Sequence, residues 1–566
     1  MPTEIAGPRE GLELIDLVGV GVYFLLTGAI VLWSSRKQAN TDDFFLGGRR
    51  MPWMAVGLSI LATLMSSISY MGVPGEMITN GVAMFAQYLA LPFSMFVVLV
   101  VWVPFFMRLQ VTSAYEYLEK RFDYRVRLMG GTLFLLLRLG WMSMVMYVGS
   151  LALTQMTASL IPPDRLDPLV GWFRSDPQAV PLLRETMLYW VIGAVGLAGT
   201  VYTCLGGFRA AIWNDVLQSL MLLGGTLITL GYVMWTTRTG PVDWWEIASQ
   251  QTAGHTRPIW FSFDPTVRMT IVTAAMLSFF WTICTHGSDQ VVLQRYFSTP
   301  SLSAARRSYM VNAASDLSIG VLLALSGLAL LAFYLKHPTF LPEGILTLDA
   351  EGKTVVKHGD RVLPYFFAHQ LPAGIGGVVV AVLVCDAMQS LVSGVNSISA
   401  VFTSDLFGRL HPQGEQKMSR LNLARLLTVA VGILVTGLGT AVAWLAQHSQ
   451  RNIVDMMAPA FNMFLGPLAA LFLIGMFLKC RARAAIQAVL CGVAISFVWS
   501  YWKDLFGTSY QPTITLTTAV PYLSSFLIAA LLGRLAGDAQ EHPGLSYTWF
   551  AVMRRQETPA EISENP

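Results

Sequence analysis

Charge is scarce in this chain. Of its 566 residues only 13% are Asp, Glu, Lys or Arg, against about 25% in an average soluble domain. The balance is +3 overall, which gives no basis for nucleic-acid binding. Cysteine is sparse too. The five (Cys204, Cys284, Cys385, Cys480, Cys491) are odd in number and form no CxxC, so neither a disulfide framework nor a zinc site is supported. No Asn-x-Ser/Thr sequon occurs, as expected of a bacterial protein or of one without glycans. HExxH, GxSxG and P-loop signatures are absent, and the aspartates have no obvious catalytic partner, which argues against an enzyme.

What the chain has is apolar length, with 54% hydrophobic residues. Candidate spans fall at 15–34, 53–79, 82–107, 129–160, 186–205, 209–235, 268–293, 307–335, 372–404, 422–446, 452–477, 483–502 and 516–535. Each approaches or exceeds the roughly 20 residues that cross a bilayer as a helix. An all-α integral membrane protein with about thirteen transmembrane helices is expected. The first 13 residues are polar and lack a basic region, and the run from Ile15 to Trp33 has no small-residue cleavage site. That run reads as a retained helix, not a signal peptide.

Basic residues orient the bundle. Arg36, Lys37, Arg49 and Arg50 follow the first span; Arg108, Lys120, Arg121, Arg125 and Arg127 separate the third from the fourth. Arg295, Arg306 and Arg307 follow the seventh, and Lys479, Arg481 and Arg483 the eleventh. If spans alternate, all these loops share one side, which the positive-inside rule makes cytoplasmic. The N-terminus is then outside and the C-terminus inside, in the plasma membrane. The longest loops, 161–185, 236–267 and 336–361, fall on the outer side. The polar stretch ending PAEISENP reads as a disorder-prone tail.

One span carries a carboxylate. Between Gly374 and Phe402 the sequence runs GIGGVVVAVLVCDAMQSLVSGVNSISAVF. At helical spacing Asp386, Ser390, Ser393 and Ser397 fall near one face. A charge at membrane depth costs roughly 2.5–3.5 kcal/mol, so such a residue faces a protein interior or a water-filled cavity. A carboxylate beside a hydroxyl stripe suits a cation. The bland alternative is an ion pair, with Arg138 of LFLLLRLGWMSM as the candidate partner. Arg138 is also a candidate for holding a substrate carboxylate, or for snorkelling to the rim.

Two spans look broken. The second contains Ser66, Ser67 and Ser69 followed by Gly72, Pro74 and Gly75. The seventh is interrupted around Thr282, Thr285, Gly287 and Asp289. Exposed backbone at membrane depth is tolerated only where it lines a cavity. Breaks in corresponding spans of two halves match the inverted repeats of secondary transporters. The plain alternative is a kink in each helix. The expected organisation is a polar N-terminus (1–13), an extra first helix with its cytoplasmic loop (14–51), a first five-helix repeat (52–236), an external loop (237–267), a second five-helix repeat (268–478), two C-terminal helices (479–536) and a cytoplasmic tail (537–566).

Several segments resemble the sodium/solute symporter family: FFLGGRRMPWMAVGLSILAT (44–63), TSAYEYLEKRFD (112–123), YTCLGGFRAAIWNDVLQ (202–218), DQVVLQRYFS (289–298), SGVNSISAVFTSDLF (393–407) and FLGPLAALFLIGMF (464–477). MGVPGE and TSAYEYLEKRF are most similar to the branch holding iodide, monocarboxylate and multivitamin carriers. The resemblance implies a LeuT-like 5+5 inverted-repeat core, alternating access and Na+-driven uptake of a small polar solute or anion.

It also implies a sodium site between the second and ninth spans. Carbonyls of Ala62 and Met65 would face Asp386, Gln389 and Ser390. The family usually has a small residue and two adjacent hydroxyls at the latter three. Here only Ser390 keeps that pattern, and the departure admits H+ as the coupling ion. Asp215 matches a family aspartate associated with a second sodium site or the ion's exit route; the alternative is a helix N-terminal carboxylate favoured by the macrodipole. Asp289 stands where relatives often carry Asn, and a capping role at the cytoplasmic rim is expected. Substrate contacts are implied at Ser67, Ile68, Ser69, Gln87, Tyr88, Thr282, Thr285 and Asp316. Apolar Ile68, and Asp316 where sugar carriers have lysine, argue against a sugar.

The expectation is a cation-coupled symporter whose partners are a small-molecule solute and the lipid bilayer, without nucleic acid. A proton-coupled carrier and a transport-deficient ligand sensor of the same fold are the alternatives. Gly72, Pro74, Gly75 and Arg138 are expected to be structural or gating residues.

Overall fold

Long apolar helices account for most of the described residues. The computed structural model describes residues 9, 12–35, 41–109, 111–157, 179–250, 255–264, 267–341, 345–348, 354–356, 359–403, 420–448, 453–508, 512–536 and 543–554. Parts of the expected loops at 36–40 and 161–185, and the end of the tail, lie outside the described residues.

The helices in chain order are α1 (Asp16–Ser35), α2 (Trp53–Leu64), α3 (Ser67–Thr79), α4 (Val82–Leu109), α5 (Tyr115–Arg121), α6 (Tyr124–Thr157), α7 (Ala179–Thr237) and α8 (Pro241–Ser249). They continue with α9 (Ile271–Ser288), α10 (Gln290–Phe297), α11 (Leu302–Lys336), α12 (Val362–His369), α13 (Ile375–Val401), α14 (Arg420–His448), α15 (Ile453–Phe477), α16 (Ala482–Ser500) and α17 (Ala519–Leu535). Among the described residues, 9 helices are long and apolar enough to cross a membrane, or 10 with the bent pair α2–α3. Two shorter apolar helices lie at Met463–Phe477 and Ala519–Leu535. A two-stranded hairpin, Leu346–Leu348 against Thr354–Val356, closes one loop.

α7 supplies two of the expected spans in one element. It bends at Gly207, whose φ of 60° and ψ of −165° are open essentially only to glycine. The second half of α7 is thereby turned back against α2 and α13.

α13 sits at the centre. Within its apolar stretch 89% of the residues are buried, against 22% in α1 at the periphery. Lipid offers little hydrophobic drive for helix association, so close contact depends on small residues and polar links. α13 has both, and α1, α6, α7 and α14 close around it. Asp16 fixes its start. One carboxylate oxygen accepts the Gly374 and Gly377 amides at 2.7 and 2.9 Å, and the other accepts Arg9 at 2.8 Å.

Two arginines expected in loops are instead interior groups. Arg121 is 1% exposed and donates to the Gly475 and Leu478 carbonyls at the end of α15, at 2.8 and 2.6 Å. Arg295 is fully buried. Their positions in the chain marked a cytoplasmic side; Arg121 was drawn inward by carbonyls left open at the end of α15, and Arg295 by the Asp215 carboxylate.

Candidate ion and solute site

The second span is broken, but not at its glycines and proline. α2 ends at Leu64, Met65 and Ser66 are extended, and α3 leaves at 65°. Gly72, Pro74 and Gly75 all lie inside α3. Gly75 serves close approach: a Cβ there would come within 2.6 Å of the Asp360 backbone. Gly72 meets nothing within 4 Å. The Met65 amide makes the last helical bond, to Leu61. The final carbonyls of α2, those of Ala62 to Leu64, are therefore left without helical donors.

α13 faces this break with Asp386, Gln389, Ser390 and Ser393, all buried. Asp386 Oδ1 accepts Gln218 Nε2 of α7 at 2.7 Å. Gln389 Nε2 donates to Thr63 Oγ1 at 3.2 Å and to Ser393 Oγ at 3.4 Å. Ser67 adjoins the Asp386 carboxylate, but no hydrogen bond of normal geometry closes between them. Asp386 Oδ2, Gln389 Oε1, and the hydroxyls of Ser66, Ser67 and Ser390 are buried without a partner. Buried polar atoms are nearly always satisfied. A group of orphaned oxygens, one of them from a carboxyl group, is the donor set that a hard cation takes. Among the described residues no cluster of His, Cys, Asp and Glu suits a transition metal.

Asp215 is already engaged. Its Oδ2 accepts Arg295 Nη2 at 2.9 Å and Ser59 in a short bond, leaving Oδ1 alone unpartnered. Arg295 also reaches Ser59 Oγ at 2.7 Å, the Val291 carbonyl at 2.7 Å and Ser393 Oγ at 2.8 Å. The helix-terminus alternative fails, because Asp215 lies two turns beyond the Gly207 bend and the macrodipole effect is confined to the first turn.

Arg138 does not pair with Asp386. Its partner is Asp289, which Nε reaches at 3.1 Å while Nη2 makes a short second contact. Asp289 is the extended residue between α9 and α10, and its Oδ1 also caps α10 by accepting Val291 N at 3.0 Å. The break in the seventh span is thus at Asp289. Thr282, Thr285 and Gly287 lie within α9, where Gly287 makes room for the Trp102 indole.

Arg138 borders a small cleft of about 20 Å³, lined also by Thr63, Trp141, Trp281, Thr285 and Asp289, and its Nη1 makes no hydrogen bond among the described residues. Of the other expected solute contacts, Ser67 is buried, whereas Ser69, Gln87, Thr282 and Asp316 are half-buried. Thr285 Oγ1 donates to the Trp281 carbonyl at 2.8 Å. Gln218, Thr63 and Arg295 were missed. Gln218 had a signal, standing one turn after Asp215 on the same helical face.

The model of the Sodium:solute symporter family matches residues 44–160 and 185–492. The chain belongs to this family. It is 29% identical over 497 residues to the sodium/sialic acid symporter SiaT of Proteus mirabilis (strain HI4320), covering 87% of this chain and 88% of that one. It is 24% identical over 539 residues to the human sodium-coupled monocarboxylate transporter 2, covering 94% and 78%. Among solved structures, a Na+-coupled sialic acid symporter in a substrate-bound outward-open state superposes with a TM-score of 0.73 at 26% identity, over 92% of this chain and 98% of that one. The protein is therefore a multi-pass membrane carrier with a LeuT-like fold, a sodium-coupled symporter and not an enzyme.

Proposed function

We propose that this symporter carries a carboxylate-bearing solute inward with sodium, the ion held between the α2–α3 break and α13. Carbonyls of Ala62 and Met65 with Asp386, Gln389 and Ser390 form its cage. The observation that carries this reading is the set of unpartnered oxygens at that junction. The solute's carboxylate meets Arg138 Nη1, the one guanidinium nitrogen that Asp289 leaves open. The names of the sialic acid and monocarboxylate relatives point to the same chemical class.

Charge explains the coupling. Around the site, Arg138 and Arg295 stand against Asp215, Asp289 and Asp386, an excess of one acid. Sodium neutralises it before an anion enters. Each ligand thus favours the other, and the coupling is reciprocal. Residues 52–236 and 268–478 act as the two repeats that rock around the site. The basic loops place the N-terminus outside and the C-terminus in the cytoplasm of a plasma membrane.

The test is uptake into proteoliposomes under an imposed sodium gradient, with carboxylates as probes. Accumulation that needs inward sodium, and that Asp386→Asn abolishes without unfolding the protein, is expected. Wild-type sodium and pH dependence in that variant would sink the cation site. Accumulation driven equally by a proton gradient alone would identify H+ as the coupling ion. Binding without flux would mark a sensor.

A further inference from the structure

The peripheral helix α1 does not lie flush against the core. Between it and α6, α7 and α13 is a slot of about 220 Å³. Protein interiors hold few voids larger than a water molecule. Val384 and Met388 of α13 form the floor, with Leu17 and Phe24 of α1 on one wall and Ala194 and Ala198 of α7 on the other. From Leu17 to Phe24 the slot follows α1 for about 10 Å, most of the roughly 15 Å of hydrocarbon in one leaflet.

Fixed contacts hold the slot open. At one end Asp16 accepts the Gly374 and Gly377 amides of the α13 start. Beside it α1 touches α13 directly, since a Cβ on Gly19 would stand 2.8 Å from the Gly377 backbone. At the other end Thr27 Oγ1 donates to Asn214 Oδ1 of α7 at 3.0 Å. These ties bracket Leu17 and Phe24, so α1 cannot move inward to close the space.

The lining selects what fills it. The polar groups at the rim are spent: both Asp16 oxygens accept hydrogen bonds, and the Thr157 hydroxyl donates to the Leu153 carbonyl at 2.7 Å. An apolar cavity without open polar partners stays dry. The slot is not sealed, because Leu17 and Phe24 are 43% and 42% exposed and Ala194 is exposed as well. Its mouth therefore opens sideways between α1 and α7, inside two membrane spans, where the surrounding medium is hydrocarbon.

We infer that this slot is a binding site for one acyl chain of a membrane phospholipid, taken from the leaflet at the N-terminal end of α1. The chain packs on the back of α13: helical spacing puts Val384 and Met388 on the side away from Asp386 and Ser393. Lipid thereby completes the packing of the helix that carries the proposed ion ligands.

The test is photolabelling of the full-length protein in proteoliposomes containing a phosphatidylethanolamine with a diazirine midway along one acyl chain. Adducts are mapped by peptide mass spectrometry. Val384 and Met388 are buried, at 8% and 3% exposure, so lipid in the ordinary annulus does not reach them. Adducts at either residue are expected, together with adducts at lipid-facing Leu197, which is 68% exposed. Ala194→Phe combined with Ala198→Phe fills the mouth and should abolish the α13 adducts while those at Leu197 persist. Thermal unfolding checks that this variant is folded, and Ala198→Leu replaces it in the same comparison if it is not. Labelling at Leu197 without any on α13 overturns the inference. So do α13 adducts that survive the filled mouth, or that arise only from a diazirine-bearing free fatty acid.

Discussion

Arg138 and Asp289 lock α6 to the junction of α9 and α10 through two parallel contacts, and Asp289 caps α10 with the same carboxylate. The pair is nearly buried, at 7% and 3% exposure. Its geometry spends two guanidinium nitrogens on structure and leaves the third without a hydrogen bond among the described residues. Arg138→Lys keeps the charge but not the fork. It should keep the protein folded and raise the solute KM at least about tenfold, with the sodium dependence little changed. Asp289→Asn removes charge and should cost about 3–5 kcal/mol in stability. Flux kinetics and thermal unfolding of the two variants separate the roles.

Asp215 and Arg295 form a second buried pair, at 1% and 0% exposure. Breaking it by Asp215→Asn leaves an uncompensated guanidinium, at a cost of about 3–5 kcal/mol. The double substitution Asp215→Asn with Arg295→Met should be less damaging than the two single changes added together, since it removes both charges. A coupling energy near zero in that cycle, read by denaturation in detergent, would show that the pair contributes nothing.

Gly81 joins α3 to α4 with φ at 79°, and a Cβ there would stand 2.3 Å from the His255 carbonyl oxygen. That amide-rich turn is also held by Val82 N donating to His255 at 2.8 Å. Gly81→Ala meets both the strain and the clash, about 1–3 kcal/mol for the backbone alone. Lower yield and a lower melting temperature are expected, with sodium affinity unchanged in whatever folds.

How much of this was legible follows from which interactions are local. The stripe of Asp386, Ser390 and Ser393 came from helical periodicity, because spacing along one helix fixes a face. The broken span was legible from Ser66, Ser67 and Ser69 with Gly72, Pro74 and Gly75, and the break falls at Met65–Ser66, ahead of the glycines and proline. Pro74 and Gly75 are accommodated in a helix that other elements pack closely, with Gly327 of α11 against Pro74 and the Gly359–Asp360 backbone against Gly75. Tertiary contact overrode local propensity there. Arg295 looked like a loop charge because sequence cannot show that Asp215, 80 residues away, waits across the bundle. The partner of Arg138 was hidden for the same reason.

His255 supplies a pH dependence. It lies outside the spans, its Nε2 is 3.0 Å from the Ile78 carbonyl at the end of α3, and burial holds its imidazole below the ordinary range. A histidine kept neutral by the fold binds fewer protons folded than unfolded. Stability is therefore full above the unfolded value near about 6.5 and declines as pH falls below it. Thermal unfolding between neutral pH and pH about 5 should show this loss, and His255→Gln should flatten it. Hydrogen exchange in the 78–82 turn should rise over the same range; an unaffected turn would remove His255 as the cause.

Gln218 tests how Asp386 is prepared for its ion. It donates to Oδ1 at 2.7 Å and leaves Oδ2 unpartnered. Gln218→Leu removes that donor while leaving every proposed sodium ligand in place. The carboxylate then loses a hydrogen bond to its charged form, worth about 1.5–3 kcal/mol, and its orientation. Sodium affinity should fall by about tenfold or more, and solute affinity measured at low sodium should fall with it, since linkage is reciprocal. At saturating sodium the solute KM should return toward the wild-type value. Gln218→Glu instead places a second carboxylate beside Asp386 and should make sodium dependence steeper with rising pH. A Gln218→Leu protein with wild-type sodium affinity would mean that the ion does not use Asp386.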